Sequence, residues 1–483
     1  MAYRYGNRNQ VMLLPTSIEE YVMMEDAVRA YDAFVDAMDL SELGMVVDEN
    51  QVGPPEYDPV SMLKLLVYGY SYGIRSSRKL ERAVHHNLSF IWLVGGIRPD
   101  HKTISSFRRK YRKALSRVLG QCARMCLRLG LVEGNILFVD GTKIRANASL
   151  AQTWDSKRCE QMLGQIDRRV EQLLEEIESV DQQEEGQESW VRMKEELTDQ
   201  QAWRRKVEEI ARSLKRRKNP KGGTASLNVV DPDSRRIKKS RKTLQGYNGQ
   251  MVCDEKHGLI VSTDVVNASN DTQQFSTQIQ QAEANLAQPC STAVADAGYY
   301  NTQTLQQVAR KGTQVIVPTP KAGNAWGTSE AFEKSVFRYD SEQDCYRCPQ
   351  GHRLRWIKHD HRRGGQVYTI EKAEYCRVCP HWGVCTKSKV GRSIVRLEQE
   401  ELRDTLRKQF EQPEAKKVFA RRKAVAEHPF GHLKRNLGLR FFLLRGFLGV
   451  KAEFALGATA FNLTRMLSLL GGTTAFLTAL RSG

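Results

Sequence analysis

GNILFVDGTKIRANAS, residues 134–149, is the stretch on which the fold turns. Ile136, Leu137, Phe138 and Val139 run without a polar interruption into Asp140, and Gly141 follows. An apolar run of this length reads as a buried strand. Asp140 then sits at the strand's C-terminal end, with a turn beginning at Gly141. A second stretch, STAVADAG (291–298), repeats the pattern with Asp296 at the strand's end. The plainer use of a strand-ending Asp is as a turn residue or helix cap. Two of them raise the question of a shared chemistry.

Working outward from these strands, QGYNGQMVCDE (245–255) and GLIVSTDVVN (258–267) read as a strand pair turning at Lys256–Gly258. A helix over 271–286, a helix near 301–311 and a strand in TQVIVPTP (313–320) follow. Strands followed by helices in this order predict a mixed sheet with helices on its faces. Upstream, residues 16–120 read as helical. DPVSMLKLLVYGYSYG (58–73) and SSRKLERAVHHN (76–87) carry apolar residues at helical spacing, with Ser76 as a cap. RPDHKTISSFRRKYRKALSRVL (98–119), capped at Thr103, ends in a basic amphipathic helix that includes Arg108 and Arg109. Short helices ending in a basic one suit DNA docking, and a solvated basic face fits the same pattern.

Residues 160–215 differ. Leu163, Ile166, Val170, Leu173, Ile177 and Val180 follow heptad spacing, and Trp203, Val207, Ile210 and Leu214 continue a second stripe. An antiparallel helical hairpin turning at 182–187 is expected, with a dimerising coiled coil as the competing reading. Then come the basic runs RRK (204–206), KRRK (215–218), RR (235–236) and KKSRK (238–242). Lys238 and Lys239 in the last of these are candidate phosphate contacts. The final part, 400–470, reads as helical.

The 483 residues carry a net charge of +18 and a pI of about 9.4. That excess suits a polyanionic partner, nucleic acid ahead of acidic membranes. No apolar run is long enough for a spanning helix, and MAYRYGNRNQ has no signal-peptide core. A cytoplasmic protein with no membrane partner is expected. In that reducing setting the ten cysteines are thiols or metal ligands.

Five cysteines fall together: Cys345-x2-Cys348, Cys376-x2-Cys379 and Cys385. Two CxxC pairs read as a structural zinc site, since a thiolate pair on a tight turn supplies half a tetrahedron. The long gap needs a hairpin, which HRLRWIKHDHRRGGQVYTIE (352–371) can form with its turn at Gly364–Gly365. Five thiols exceed four positions, and charge and spacing do not choose among them; Cys345, Cys348, Cys376 and Cys379 form one local-spacing alternative. The remaining cysteines read as ordinary buried thiols.

Phosphodiester chemistry can be run by two divalent ions roughly 3.5–4 Å apart. Magnesium prefers carboxylates. Asp140 and Asp296 offer two, and Glu427, at the start of a predicted helix in AVAEHPFGHLKR (424–435), offers a third. His428 and His432 flank that helix. Lys143 and Asn147 lie just beyond Asp140 and are candidate DNA contacts. Asp231, Asp254, Asp264 and Glu255 suit turn or surface roles. Trp326 and Trp382 are candidates for stacking on a flipped base and more ordinarily pack.

At this point the sequence resembles a DDE-type transposase of bacterial insertion sequences, closest to the family numbered 1182. YDPVSMLKLLVYGYSYGIRSSRKLERA (57–83) and RPDHKTISSFRR (98–109) resemble its N-terminal domain. FVDGTKIRANAS (138–149), DPDSR (231–235) with QGYNGQ (245–250), ADAGYYN (295–301), and AEHPFGHLKR (426–435) with FLLRGF (442–447) resemble its catalytic motifs in order. The resemblance implies a multidomain α+β chain with a ribonuclease H-like α/β catalytic domain. Its core would be 130–150 and 225–335, after an N-terminal helical DNA-binding domain at 1–125. A helical-hairpin insertion would span 151–224, a zinc-ribbon-like insertion 336–400, and a C-terminal helical part 401–483. It implies Asp140, Asp296 and Glu427 as catalytic ligands of two Mg²⁺ or Mn²⁺ ions, and a structural Zn²⁺ on Cys348, Cys376, Cys379 and Cys385 with Cys345 spare. Lys434 would contact transposon-end DNA, with Arg435 and Arg445 nearby. The family's Tyr and Arg upstream of the glutamate fall here on Ala420 and Lys423, a departure from the pattern. The implied activity is cleavage of element ends and strand transfer into target DNA, by a homodimer in the bacterial cytoplasm at the nucleoid. A catalytically silent DNA-binding descendant and a ribonuclease H-like nuclease without strand transfer are the alternatives.

Overall fold

The computed structural model describes residues 17–45, 56–181, 187–216, 225–239, 242–320, 330–361 and 364–482. It divides into two compact units. The first is Met1–Asp271, Thr277–Cys290 and Lys423–Gly483; the second is Thr272–Ser276 and Ser291–Arg422.

The first unit is organised on β1 (Ile136–Arg145), with β2 (Thr153–Asp155), β3 (Ser226–Asn228), β4 (Arg235–Lys239), β5 (Lys242–Asp254) and β6 (Ile260–Val266) following. The thirteen residues of β5 make it the spine. Along one edge it pairs antiparallel with β1, from Leu137↔Asp254 to Arg145↔Gly246. Along the other it pairs first with β4 and then with β6. β1 therefore runs well past the expected turn at Gly141. Its second half is polar, and its ladder to β5 continues unbroken.

Against this sheet packs the helix Gly446–Leu470, buried over most of its length. It also packs on the N-terminal helices Pro59–Ser71 and Val118–Arg128. Tyr31 Oη bonds Thr464 Oγ1 (3.2 Å), and Cys126 meets Met466 at 3.5 Å. The N-terminal helices thus share one core with the sheet and the C-terminal helix rather than closing around a core of their own. The helix is apolar because it is central. No single helix among the described residues is long and apolar enough to cross a membrane.

One residue in that helix breaks the apolar pattern. Glu453 is fully buried, ion-paired with Arg75. Its carboxylate accepts the amides of Leu443 and Leu444, while Arg75 donates to the carbonyls of Phe441 and Gly438. Burial pushes the Glu453 carboxyl upward, and Arg75 and the two amides pull against it. The pair fastens the loop 436–445 between the two C-terminal helices.

Helices Ser156–Asp181 and Gln187–Arg216 pack on each other. Their cross-links Asp167–Arg204 and Arg169–Glu196 advance in opposite senses along the chain, as in an antiparallel pair. Ile166, Val207 and Leu214 form their seam, with Trp154 and Leu227 below. β2 and β3 pair antiparallel at the base, so the chain leaves and re-enters the sheet side by side. Most of the expected turn, 182–186, lies outside the described residues.

The second unit opens with β7 (Thr292–Ala295), the helix Thr302–Ala309 and β8 (Gln314–Ile316), with β7 and β8 parallel. A five-stranded antiparallel sheet follows: β9 (Arg338–Asp340), β10 (Cys345–Arg347), β11 (Arg353–Asp360), β12 (Gly365–Ile370) and β13 (Ser393–Leu397), neighbours in chain order. β11 and β12 are the hairpin expected over 352–371. Helices Glu400–Glu411 and Pro413–Arg422 complete the unit.

Candidate active site

Side chains alternate across a strand, so Asp140, Thr142 and Ile144 share one face of β1. Their β5 partners Met251, Gly249 and Tyr247 point the same way. That face is covered by the C-terminal helices: Tyr247 packs edge-on against Phe442 and Phe447, and a Cβ on Gly249 would lie 3.3 Å from the Phe454 ring. Asp140 Oδ1 accepts the amide of Gly141 at 2.8 Å, which fixes the carboxylate at the rim of the core.

Glu427 closes a π-helical turn, Lys423–Glu427, and the α-helix His428–Arg435 starts directly after it. The wide turn packs on β1 and β5 through Val425 and Ala426, leaving Glu427 itself exposed. Single π-turns recur where a side chain must be re-aimed. Seven residues on, two turns along the same helix face, Lys434 Nζ donates to Thr142 Oγ1. The helix after Glu427 is therefore pinned to the face of β1 that bears Asp140. Both carboxylates belong to the first unit.

Asp296 belongs to the second. It follows β7 and caps the turn Ala297–Tyr299, its Oδ1 accepting the Gly298 amide at 2.8 Å. A Cβ on Gly298 would stand 2.9 Å from that oxygen, so glycine there lets the chain close beneath the carboxylate. The cap role weighed for such an Asp is real and leaves it at the end of β7.

The expected DNA contacts divide by environment. Arg435 is exposed. Arg445 Nε donates to the Asn147 carbonyl (3.0 Å), and Asn147 Nδ2 to the Leu443 carbonyl (2.7 Å), so both first serve to tie the loop to β1. Lys143 lies on the opposite face of β1 from Asp140. There it pairs with Asp271 (3.5 Å), which Asn248 and Gln250 also contact. Lys238 is exposed on β4; the Lys239 side chain lies outside the described residues. Arg109 is exposed, whereas Arg108 is only 4% accessible. Arg108 is a correction: it sits four residues after Ile104 and one after Phe107, on the buried face of its helix, and cannot reach a phosphate from there.

Other carboxylates expected at turns or on the surface are buried and structural. Asp231 accepts the Tyr247 hydroxyl (2.7 Å) and the Gly446 amide (3.2 Å). Asp254 accepts the Gly134 and Lys256 amides, with burial raising its pKa. Asp264 pairs with Lys451. His428 and His432 pack near Phe461, and burial, then His428, lowers the His432 pKa. Trp326 lies outside the described residues. Sequence reasoning passed over Arg75 and Glu453. The signal was a lone Glu in VKAEFALGATAF (450–461), since a charge inside an apolar helix demands a buried partner.

In the second unit, Cys348, Cys376, Cys379 and Cys385 line one cavity of about 30 Å³, with Trp382 on its rim. Burial raises the thiols of Cys376 and Cys385, and charge on the neighbouring thiols adds to it. Arg392 pulls the other way on both, and donates to the Cys385 carbonyl at 3.1 Å. Cys345 does not line the cavity; it is buried in β10. Among the described residues, no three His, Cys, Asp or Glu side chains are arranged to hold a metal ion.

Two family models match the chain. One, described as "Transposase DDE domain", covers residues 347–467, a span that holds Glu427 and the four cavity cysteines. The other, "Transposase domain (DUF772)", covers residues 16–110, the N-terminal helices. The chain is a DDE-type DNA transposase. No curated protein matches it. A solved structure, the piggyBac transposase synaptic complex with hairpin DNA, is similar at 8% identity and a TM-score of 0.35, covering 95% of this chain and 80% of that one. Asp140 and Asp296 fall outside the DDE-domain match. The transposase DDE family uses divalent metal ions.

Proposed function

We propose that this transposase cleaves the ends of an insertion sequence and joins them to target DNA, with Asp140, Asp296 and Glu427 as its acidic triad. The observation that carries the reading is the Lys434–Thr142 bond, which fixes the Glu427 helix to the Asp140 face of β1. Carboxylates are the donor type that magnesium and manganese prefer, and two of the three are oriented by a backbone amide on one oxygen. Two such ions, when bound, activate the attacking oxygen and offset charge at the phosphorus. The chain's own part is positional. Asp140 and Asp296 are held by amides at strand ends. Lys434 is set on β1 beside the first of them, where a fixed cation can orient a phosphate oxygen. Arg435, exposed one residue on, extends that cationic edge.

We further read the chain as a member of the insertion-sequence family numbered 1182. Its core is ribonuclease H-like, the helical pair 156–216 is one insertion and the cysteine-bearing sheet another. Double-stranded DNA, both ends and target, is its partner. It acts as a homodimer in the bacterial cytoplasm. The four cavity thiols suit a structural zinc ion: sulfur donors, on two tight turns and a following loop, beside an arginine that favours thiolate.

The test is a strand-transfer assay with duplex carrying the element's terminal repeats. Asp140→Asn, Asp296→Asn and Glu427→Gln should each lower the rate by about a thousandfold or more, roughly 4 kcal/mol, at unchanged DNA affinity. Near-normal strand transfer by any of the three removes that residue from the triad. Cleavage without joining by the unsubstituted protein favours a nuclease.

A further inference from the structure

A cavity of about 590 Å³ opens in the first unit along β6, a strand that pairs only with β5. Its walls come from β6, from the helix Val118–Arg128 and the residues before it, from the helix Phe275–Leu286 and from the start of the helix Gly446–Leu470. Asp264 on the β6 wall pairs in register with Gln250 of β5, and Gln250 with Gly141 of β1. Alternation along β1 then puts Asp264 on the sheet face opposite Asp140. The cavity is therefore separate from Asp140, and its volume falls in the range of small-molecule sites, roughly 300–1,000 Å³.

Two kinds of polar group define what the cavity can hold. The first is cationic: Lys113, Arg117, Arg124 and Lys451. Arg124 is clamped by both oxygens of Glu42 (2.5 and 2.7 Å), and Lys451 by Asp264 (2.7 Å). Lys113 and Arg117 are exposed, and neither side chain is ion-paired among the described residues. Four cations against the carboxylates of Glu42 and Asp264 leave the lining with an excess of two positive charges. The second kind is amide. Gln281 Nε2 donates to the Thr263 carbonyl (3.3 Å) and Asn285 Nδ2 to the Val261 carbonyl (2.9 Å). Each bond turns the amide nitrogen toward β6 and leaves the oxygen, an acceptor, on the other side. A matching ligand brings about two negative charges together with hydrogen-bond donors. A phosphate monoester carries roughly −1.5 to −2 at neutral pH, and the hydroxyls of an attached sugar are the donors. The backbone of DNA does not match. Its phosphodiesters carry one charge each and offer no donor, so both amide oxygens would go unmet.

We propose that this cavity binds a small phosphate monoester bearing free hydroxyls, a nucleoside monophosphate or a sugar phosphate, with Lys113 and Arg117 on the phosphate and Gln281 and Asn285 on the hydroxyls. The proposal is independent of the strand-transfer reading: either can fail while the other stands.

The test is calorimetric titration of the full chain, without added divalent ion or DNA, with adenosine 5′-monophosphate, ribose 5-phosphate, inorganic phosphate and the cyclic diester adenosine 3′,5′-monophosphate. Both monoesters should saturate one site per chain, and the cyclic diester should bind at least about tenfold more weakly. Tighter binding of the nucleotide than of ribose 5-phosphate supports the proposal with a nucleotide as the source; equal binding supports it with a sugar phosphate. Lys113→Gln and Arg117→Gln should each weaken both monoesters by about tenfold. Gln281→Met should weaken ribose 5-phosphate more than inorganic phosphate, whereas a purely structural loss would weaken both alike. Asp140→Asn should bind as the parental chain does. Circular dichroism of each variant controls for folding. Three results overturn the proposal: no saturable binding of either monoester at millimolar concentration, parental affinity in the Lys113→Gln, Arg117→Gln double variant, or equal affinity for the cyclic diester. Displacement of the bound monoester by a short random-sequence duplex, with the same loss of duplex affinity in the double variant, overturns it in favour of a DNA-backbone contact.

Discussion

Around Glu453 in the first unit, a buried charge meets a counter-charge, two backbone amides and two carbonyl-bound guanidinium nitrogens, all under an apolar helix. Around the cysteine cavity of the second unit, four cysteines line the same space with a single arginine beside two of them. The apolar support differs as well. The sheet β9–β13 rests on a cluster of Phe337, Tyr346, Leu354, Tyr368, Ile370 and Ile394, whereas the first unit closes around a 25-residue buried helix. A region of about 60 residues seldom holds itself by apolar burial alone and usually needs a staple. The Glu453 charge thus finds its partners within the chain, whereas on the zinc reading proposed above the four thiols depend on a cation for theirs.

The sharpest way to break that comparison is to withhold metal. Chelation, or Cys376→Ser with Cys379→Ser, should strip hydrogen-exchange protection from β9–β13, since structural zinc contributes on the order of 10 kcal/mol to small folds. Amides of β1 and β5 should be unaffected. Unchanged protection over residues 338–397 after chelation would mean that the apolar cluster suffices and the thiols are mere packing.

The next effect belongs to the first unit. Arg75→Met leaves the Glu453 carboxylate buried without its counter-ion, a loss of about 3–5 kcal/mol in typical cases. Denaturant unfolding monitored on the first unit checks it. Because the pair fastens loop 436–445, strand transfer should also fall. A loss below about 1 kcal/mol would show that the amides of Leu443 and Leu444 hold the carboxylate unaided.

How much of this could be read from sequence follows from range. Ile136–Val139 announce β1 because burial of consecutive residues leaves a local mark; the extension through Arg145 leaves none, since it depends on the ladder to β5. The heptads of 160–215 give the helices, but a heptad seam looks the same whether its partner is the next helix or another chain. Asp231 and Asp254 look like turn residues because the Tyr247 hydroxyl and Gly134 amide that bury them are 16 and 120 positions away. The motif order around Asp140, Asp296 and Glu427 was visible, yet the bond that fixes one to another, Lys434 to Thr142, spans 292 positions. The cavity's choice of Cys348 over Cys345 was likewise invisible to spacing, because β10 turns alternate residues to opposite faces.

Arg108 is the case where the signal was present and outweighed by composition. RRKYRK reads as a uniform basic surface, but residues 104, 107 and 108 share the inward side of one helix turn. The guanidinium ends 5.9 Å from the Tyr70 ring centroid, with Nε and Nη2 lacking partners, and its charge is felt by Glu453. It is a second arginine near a carboxylate already satisfied by Arg75. A buried cation with two unmet donors contributes less than its desolvation takes away, and an apolar side chain of similar length often does as well or better. Arg108→Met should therefore shift stability by under about 1 kcal/mol, in either direction, where Arg75→Met costs several. DNA affinity and its salt slope should stay at parental values, in contrast to Arg109→Gln next to it. A salt slope flattened by Arg108→Met would mean that the helix rotates its buried face toward DNA on binding, and the division between the two neighbouring arginines would fail.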